Sequence, residues 1–270
     1  MTAARVRFRG VAVWVLALWS VLPLVPLVIW SIAHGWRFPD ILPAKTTLAA
    51  WSFALSDASG VLVSLGVTAG IAATTTLVSL VIALPAARVL GMHDFRAKSL
   101  VQTLILTPVL VPGIAVALGL HGIFLSLGLT NRLIGVVLVH LVPALPYMIL
   151  ILTAVFAAYD RAFEDQARSL GASPLQTLWY VTLPAILPGV LVASLFTFLI
   201  SWSQFLLTLM IGGGRVVTMP LLLFGFATSG RNDLTGAIAL IYILPGIAIL
   251  IVTSRYLSGR PAAIVALGRA

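Results

Sequence analysis

Of the 270 residues, 61% are hydrophobic and only 9% are charged, so most segments have no polar face for water and a soluble domain is excluded. The net charge of +9 does not indicate nucleic-acid binding, because the 16 Lys and Arg are spread along the chain without forming a basic stripe. The absence of Cys excludes disulfides, thiol catalysis and cysteine metal sites. The composition predicts an all-α integral membrane protein.

Six segments are long enough to cross a bilayer, which requires about 20 apolar residues. The predicted spans, within one transmembrane domain covering 1–270, are about 11–33, 59–87, 99–121, 134–158, 188–211 and 234–254. The first could instead be a cleaved signal peptide ending at Ser31-Ile32-Ala33, but its apolar run exceeds the usual length of about 7–15 residues. Residues 219–227 form a further apolar stretch, which is either a re-entrant or an interfacial helix.

The distribution of Lys and Arg predicts the orientation of these spans. The segments on the side of both termini hold 11 of them, and the loops on the other side hold 5. The positive-inside rule therefore predicts that both termini and the loop at about 159–187 lie in the cytoplasm. A seventh span would place the arginine-rich tail outside, which the same rule disfavours.

The loop at about 159–187 is the most polar stretch within this hydrophobic chain. Glu164 and Asp165 favour the first turn of a short helix, and Glu164 is spaced to pair with Arg168. Phe163, Ala167 and Leu170 recur at helical spacing and give this helix an apolar face.

A second short helix follows within the loop. Gly171 can adopt the left-handed conformation that ends the first helix, and Ser173 with Pro174 is a helix-start pair after Ala172. Pro184 and Pro188 are expected to interrupt the chain before the fifth span. A plain connector lying on the bilayer needs only a few residues. This loop is much longer than such a connector and has helix-start and helix-end signals, which favours a docking element.

The same segment resembles the loop signature of the permease subunits of bacterial binding-protein-dependent ABC importers. In that signature Glu-Ala-Ala is followed after three residues by Gly and, nine residues later, by Ile-x-Leu-Pro. Asp165-Gln166-Ala167 stands at the Glu-Ala-Ala, Gly171 has the expected offset, and Val181-Thr182-Leu183-Pro184 ends the motif. Asp keeps the charge of Glu, and Gln166 departs from the signature. Ser194–Thr208 and Thr218–Phe226 are most similar to polyamine-type and sugar-type permeases.

The resemblance implies a type I ABC importer permease with a cytoplasmic coupling helix between spans four and five. Its partners would be two copies of an ATPase subunit, a second permease subunit (a sister or a copy of itself), an extracytoplasmic substrate-binding protein and membrane lipid. The chain would lie in the bacterial inner membrane as a multi-pass protein. It would bind no cofactor, because ATP and Mg²⁺ would sit on the partner ATPase. The residues implied in coupling are Glu164, Asp165, Ala167, Arg168, Gly171, Ala172, Ser173 and Pro174, with Leu183 and Pro184 at the motif end.

Polar residues inside the predicted spans are candidates for the translocation pathway. They are Thr107, His140, Tyr147, Ser201, Ser203 and Gln204. Hydrogen bonding between helices is the alternative role for each of them, and His140 lacks the neighbouring carboxylate that a proton relay would use. Ser203 and Gln204 stand where several polyamine-type relatives carry acidic residues, so neutral groups suit a sugar or another polar organic solute equally well.

The sequence lacks the residues that other function classes would need. No Gly-rich ATP-binding loop with Lys occurs, and an intramembrane enzyme would require carboxylates, metal ligands or a nucleophile with its base within the spans. A passive channel or a proton-coupled carrier stays open as the alternative function.

Overall fold

The computed structural model describes residues 14–16, 18–36 and 39–258, and this part of the chain is helical without β-strands. The all-α prediction is confirmed. Six of the arginines counted for the orientation lie outside the described residues, as does the start of the first predicted span: Arg5, Arg7, Arg9, Arg37, Arg260 and Arg269.

The helices follow one another along the chain with short connections. They are α1 (Trp14–Val21), α2 (Leu24–Ile32), α3 (Ala49–Ala54), α4 (Val61–Met92), α5 (Lys98–Leu110), α6 (Gly113–Ser126), α7 (Leu133–Ala157), α8 (Ala162–Ser169), α9 (Pro174–Thr177), α10 (Leu183–Trp202), α11 (Leu206–Gly212), α12 (Met219–Thr228) and α13 (Asn232–Ser258). A 3-10 helix, Asp57–Ser59, precedes α4, and a π-helical stretch, Leu178–Thr182, joins α9 to α10.

Four segments of the described chain are long and apolar enough to cross a membrane: Val61–Met92, Leu133–Ala157, Pro174–Trp202 and Asn232–Ser254. Two bent helix pairs also pass this test, α1 with α2 at 43° and α5 with α6 at 96°. The chain is therefore a multispanning membrane protein, with four spans, or six if each bent pair crosses as one.

The predicted third span is divided into two helices in the structure. Val111 and Pro112 separate α5 from α6 and have extended backbone conformations, with ψ of 135° and 130°. Proline lacks the N–H of a helical hydrogen bond and forces the preceding residue out of the helical region. Hydropathy alone does not reveal such a change of direction.

The region around the fifth predicted span differs from the expected break at Pro184 and Pro188. Pro184 lies in the first turn of α10, where its missing N–H costs little, and Pro188 is inside the same helix. The interruption falls later, at residues 203–205 between α10 and α11. The helical path therefore runs from the loop into the span without a gap.

Residue contacts divide the chain into two compact units, residues 1–65 with 222–245 and residues 66–221 with 246–270. In the first unit, α13 approaches α2 closely at Gly236, where a Cβ would lie 2.7 Å from the carbonyl oxygen of Leu27. In the second unit, a buried cluster joins the end of α4, the end of α7 and the start of α10. Its members are Ala83, Ala87, Leu90, Met148, Ile149, Leu152, Phe156, Ile186, Val190 and Ala193.

Gly91 allows the end of α4 to approach α7 at this cluster. A Cβ at Gly91 would lie 2.7 Å from both the Cβ of Phe156 and the carbonyl oxygen of Thr153. Backbone and Cβ atoms cannot move aside as a flexible side chain does, so a larger residue here must separate the two helices.

We expect Gly91→Ala to lower the free energy of unfolding by about 1–3 kcal/mol through this overpacking. Gly66→Ala is the matched control, because Gly66 lies in the same helix with nothing within 4 Å of an added Cβ. The control should be neutral or stabilising by up to about 1 kcal/mol through helix propensity. Thermal unfolding of the purified chain in detergent measures both, and equal stability of the two variants would contradict the packing argument.

Candidate functional site

The polar loop between α7 and α10 forms two short helices, as the sequence predicts. Gly171 follows α8 with a left-handed φ of 85°, and the Ala172 N–H donates to the carbonyl oxygen of Ala167 at 3.0 Å. Ser173 then forms a capping box, in which its Oγ accepts from the Gln176 N–H at 3.3 Å and its own N–H donates to Gln176 Oε1 at 2.8 Å. Both ends of the turn are therefore fixed by local hydrogen bonds.

Glu164 anchors this loop to the helices beneath it. Only 4% of Glu164 is exposed, although its neighbours in α8 are mostly exposed. Its Oε1 accepts from the Thr182 hydroxyl at 2.7 Å, and its Oε2 accepts from Arg88 Nη2 at 2.5 Å and from Arg168 Nη2 at 3.4 Å. We call these four residues the Glu164 cluster.

The cluster keeps the buried carboxylate ionised. Burial by itself would raise the pKa of Glu164, but the hydrogen bonds from Arg88 and Thr182 and the charges of Arg88 and Arg168 outweigh it. The pKa of Glu164 therefore lies below its ordinary value. An ionised carboxylate paired with arginine forms a charge-assisted contact that is stronger than a neutral hydrogen bond.

A neighbouring face of α8, about 100–120° around the helix from Glu164, carries the apolar residues Phe163 and Leu170. Phe163 is 54% exposed and Leu170 is 89% exposed. Asp165 and Gln166 lie beside Leu170 around an open surface depression, together with Ala162 and Ser169. The amphipathic pattern is present as predicted, but the face turned toward the rest of the described chain is the one with the buried carboxylate.

The sequence-predicted coupling residues therefore separate into two groups. Glu164 faces inward, Asp165, Arg168, Gly171, Ser173 and Pro174 are exposed, and Ala167 and Ala172 are half-buried. At the motif end, Leu183 packs on the buried cluster of α4, α7 and α10, while Pro184 is exposed. The sequence does not identify Arg88 and Thr182 as partners of Glu164, since they lie 76 and 18 residues away.

His140 forms the main polar connection inside the spans. It is 1% exposed, and its two ring nitrogens contact the Ser201 hydroxyl at 2.9 Å and the Thr208 hydroxyl at 2.8 Å. Ser201 lies near the end of α10 and Thr208 lies in α11, so the imidazole bridges the interruption between them. His140 and Ser201 therefore bond helix to helix, which was the alternative considered for them.

The other pathway candidates are not contacted by His140, although the Thr208 hydroxyl also donates to the carbonyl oxygen of Gln204 at 3.1 Å. Gln204 lines a cavity of about 80 Å³ near Pro108, Gly113 and Pro143, where the two helix interruptions meet. Thr107 is exposed and donates to the carbonyl oxygen of Thr103 at 3.1 Å. Tyr147 is 37% exposed, and Ser203 is exposed at the interruption.

A protein family described as "Binding-protein-dependent transport system inner membrane component" matches residues 79–261, which is more than half of the chain. The chain belongs to this family. It is therefore the multi-pass inner-membrane permease subunit of an ABC importer, and the family implies a separate ATPase and a substrate-binding protein as partners. The permease itself is the non-catalytic component.

The individual relatives are also ABC transporter permeases, but their names give different transported substrates. The molybdenum transport system permease protein ModB of Mycobacterium tuberculosis is 31% identical over 196 residues, covering 67% of this chain and 73% of that protein. The spermidine/putrescine transport system permease protein PotC of Haemophilus influenzae is 26% identical over 161 residues, covering 60% and 63%.

The fold matches that of a solved importer. A crystal structure of a bacterial ABC transporter involved in the import of alginate aligns with a TM-score of 0.71 at 20% identity, covering 95% of this chain and 98% of that one. This likeness places the permease in the ABC importer fold.

We predict that Glu164 stabilises the fold in a pH-dependent way. Because its pKa is lower in the folded protein, the stabilisation is complete above the ordinary value of 4.5 and is lost as the pH falls through the lowered folded value. Glu164→Gln should therefore cost about 1–3 kcal/mol near neutral pH. Its difference from wild type should stay constant down to about pH 5 and shrink only below the ordinary pKa.

Thermal unfolding of both proteins across this pH range provides the measurement. The matched control is Asp94→Asn, since Asp94 pairs with Lys98 at the surface and is 99% exposed. A difference between wild type and Glu164→Gln that already shrinks between neutral pH and about pH 6 would contradict the lowered pKa.

Proposed function

We propose that the loop at about 159–187 is the surface on which the partner ATPase docks, with α8 as the coupling helix. The observation that carries this proposal is the orientation of α8. Its one buried charged residue faces the permease, while Phe163 and Leu170 stay exposed on a neighbouring face. An uncovered apolar patch on a rigid, capped element marks a protein contact site. The signature Asp165-Gln166-Ala167 with Gly171 supports the same role.

The coupling residues have distinct roles in this proposal. Asp165, Ala167 and Arg168 would contact the ATPase from α8, and Gly171 would set the turn. Ala172, Ser173 and Pro174 would hold the second helix in place, and Leu183 with Pro184 would continue the motif into the span. A rigid helix of this kind transfers rigid-body motion of two ATPase subunits to the spans.

The orientation of the chain follows from the same proposal. Docking requires that the loop lies in the cytoplasm, and the 11 Lys and Arg on its side of the predicted topology, against 5 on the other, support this. Both termini would then be cytoplasmic. ATP and Mg²⁺ would sit on two ATPase copies, and a second permease subunit, a sister or a copy of this chain, would complete the pathway.

The cargo that we propose is a small polar organic solute, either polyamine-type or sugar-like. The polar residues at the α10–α11 interruption are neutral, and neither Asp nor Glu occurs in α7 or in residues 183–212. Hydrogen-bonding groups without charge suit a sugar-like, uncharged solute. The polyamine-type alternative rests on the resemblance of Ser194–Thr208 and Thr218–Phe226. Gln204 at the small cavity is the residue that we assign to this part of the pathway, and His140 with Ser201 would hold together the helices beside it.

We expect Gly171→Asp to uncouple transport from ATP hydrolysis. The φ of 85° disfavours a side chain, and the added carboxylate would stand at the docking surface. Transport should fall by about tenfold or more while ATP hydrolysis and membrane insertion persist. Both activities are measured on the complex of this chain with its co-purifying ATPase in proteoliposomes.

Gly60→Asp is the matched control for this variant. Gly60 has a comparable φ of 68°, and an added Cβ also meets nothing within 4 Å, but it lies outside the loop. The control should keep wild-type coupling. Wild-type uptake by Gly171→Asp would overturn the docking role.

Uptake of defined probes tests the cargo and the energy source together. We expect ATP-dependent accumulation of putrescine or trehalose in proteoliposomes that hold the complex and its binding protein. Accumulation of molybdate alone would overturn the proposed cargo. Uptake that continues without the ATPase would favour a passive channel or a proton-coupled carrier.

A further inference from the structure

The Arg88–Glu164 ion pair links two parts of the chain that are far apart in sequence. Four ion pairs occur among the described residues, and the other three join residues two or four positions apart. Arg88 lies near the end of α4, and Glu164 lies in α8. This pair therefore connects the loop to a helix that does not flank it in sequence.

The most extensive contacts of α8 are with elements that continue into α10. Within the loop, α8 packs against α9 and the π-helical stretch, and both continue into α10. Thr182, the hydroxyl donor to Glu164, is fully buried at the end of that stretch. Without Arg88, motion of α8 would pass to α7 and α10 but would have no charged connection to α4.

The end of α4 is itself fixed against the same group of helices. Gly91 brings α4 close to Phe156 at the end of α7, and Ala87 and Leu90 are buried in the cluster that these helices share. Arg88 stands between these packed residues and reaches the loop with its side chain 31% exposed. The residues next to Arg88 in α4 are therefore packed against α7 and α10, so the ion pair is attached directly to a buried part of the span.

We propose that Glu164 is a positioning residue that carries motion of the coupling helix to α4 through Arg88, so that both elements move as one body during transport. This inference rests on the docking role of α8 proposed above and specifies how its motion reaches a third helix. Separating the pair would leave a buried carboxylate without its closest cation, which opposes relative movement. Arg168 alone replaces it poorly, since its contact is 3.4 Å long and its side chain is 52% exposed.

Charge variants provide the first test. The readout is the stimulation of ATP hydrolysis, in proteoliposomes, by the binding protein isolated with its endogenous ligand. Arg88→Met keeps the apolar stem and removes the charge, and it should reduce this stimulation at least about fivefold while basal hydrolysis persists. Arg88→Lys should retain part of the stimulation, because it keeps the charge but loses the planar guanidinium.

The matched control is Lys98→Met, which removes the surface pair with Asp94 in the turn that follows α4. It should leave the stimulation unchanged. Co-purification of the ATPase shows whether each variant still assembles. Arg88→Met with wild-type stimulation would overturn the inference.

A covalent replacement of the ion pair provides the second test and does not depend on how well a charge variant folds. The chain contains no Cys, so thiols at Arg88→Cys and Glu164→Cys are the only ones it offers. The double variant should lose the stimulation, and joining the thiols with a short bifunctional methanethiosulfonate should restore it. Each single variant treated with the same reagent serves as the control.

The outcomes separate this inference from the docking role. If the cross-link arrests or fails to restore the stimulated activity while Gly171→Asp still uncouples, α4 and α8 move independently and the docking role stands. If Gly171→Asp also behaves as wild type, the docking role itself fails. Restoration by the cross-link supports movement of α4 and α8 as one body.

Discussion

The buried carboxylate of Glu164 is the constraint on which the arrangement of the polar loop depends. A short helix with exposed apolar residues could lie on a membrane surface or point away from it, and local hydrogen bonds alone would not decide between these arrangements. Contacts from Arg88, Arg168 and Thr182 fix one face of α8 toward the spans. Phe163 and Leu170 consequently remain exposed on a neighbouring face.

The Glu164 cluster is stable because several contacts to the carboxylate together offset the cost of burying it. Removing a carboxylate from water is costly, and a single surface ion pair contributes little. Here the charge is met by two arginines and a buried hydroxyl, and these contacts outweigh burial and hold the pKa of Glu164 below its ordinary value. The packed ends of α4, α7 and α10 beneath it keep the donors in position.

The local features of the loop could be predicted from the sequence, whereas its long-range contacts could not. The left-handed Gly171 and the capping box at Ser173 depend on residues within three or four positions, and their identities are specific. The partner of Glu164 is 76 residues away, and any of several arginines had a suitable charge. Likewise, His140 and Ser201 are identifiable in the sequence as polar residues within spans, but the contacts of His140 with both Ser201 and Thr208 depend on the direction change after α10.

The continuous helical segment from Pro174 to Trp202 is longer than a bilayer core is thick, which affects how movement of the loop would reach the far end of the span. Its 29 residues extend for about 43 Å, whereas a bilayer core is about 30 Å thick. One end of this rod therefore projects beyond the lipid or the whole rod tilts within it, and the capped loop is attached at that end. If docking displaces the loop as proposed above, the rod would tilt, and its far end at Trp202, next to Ser201 of the His140 bridge, would move as well.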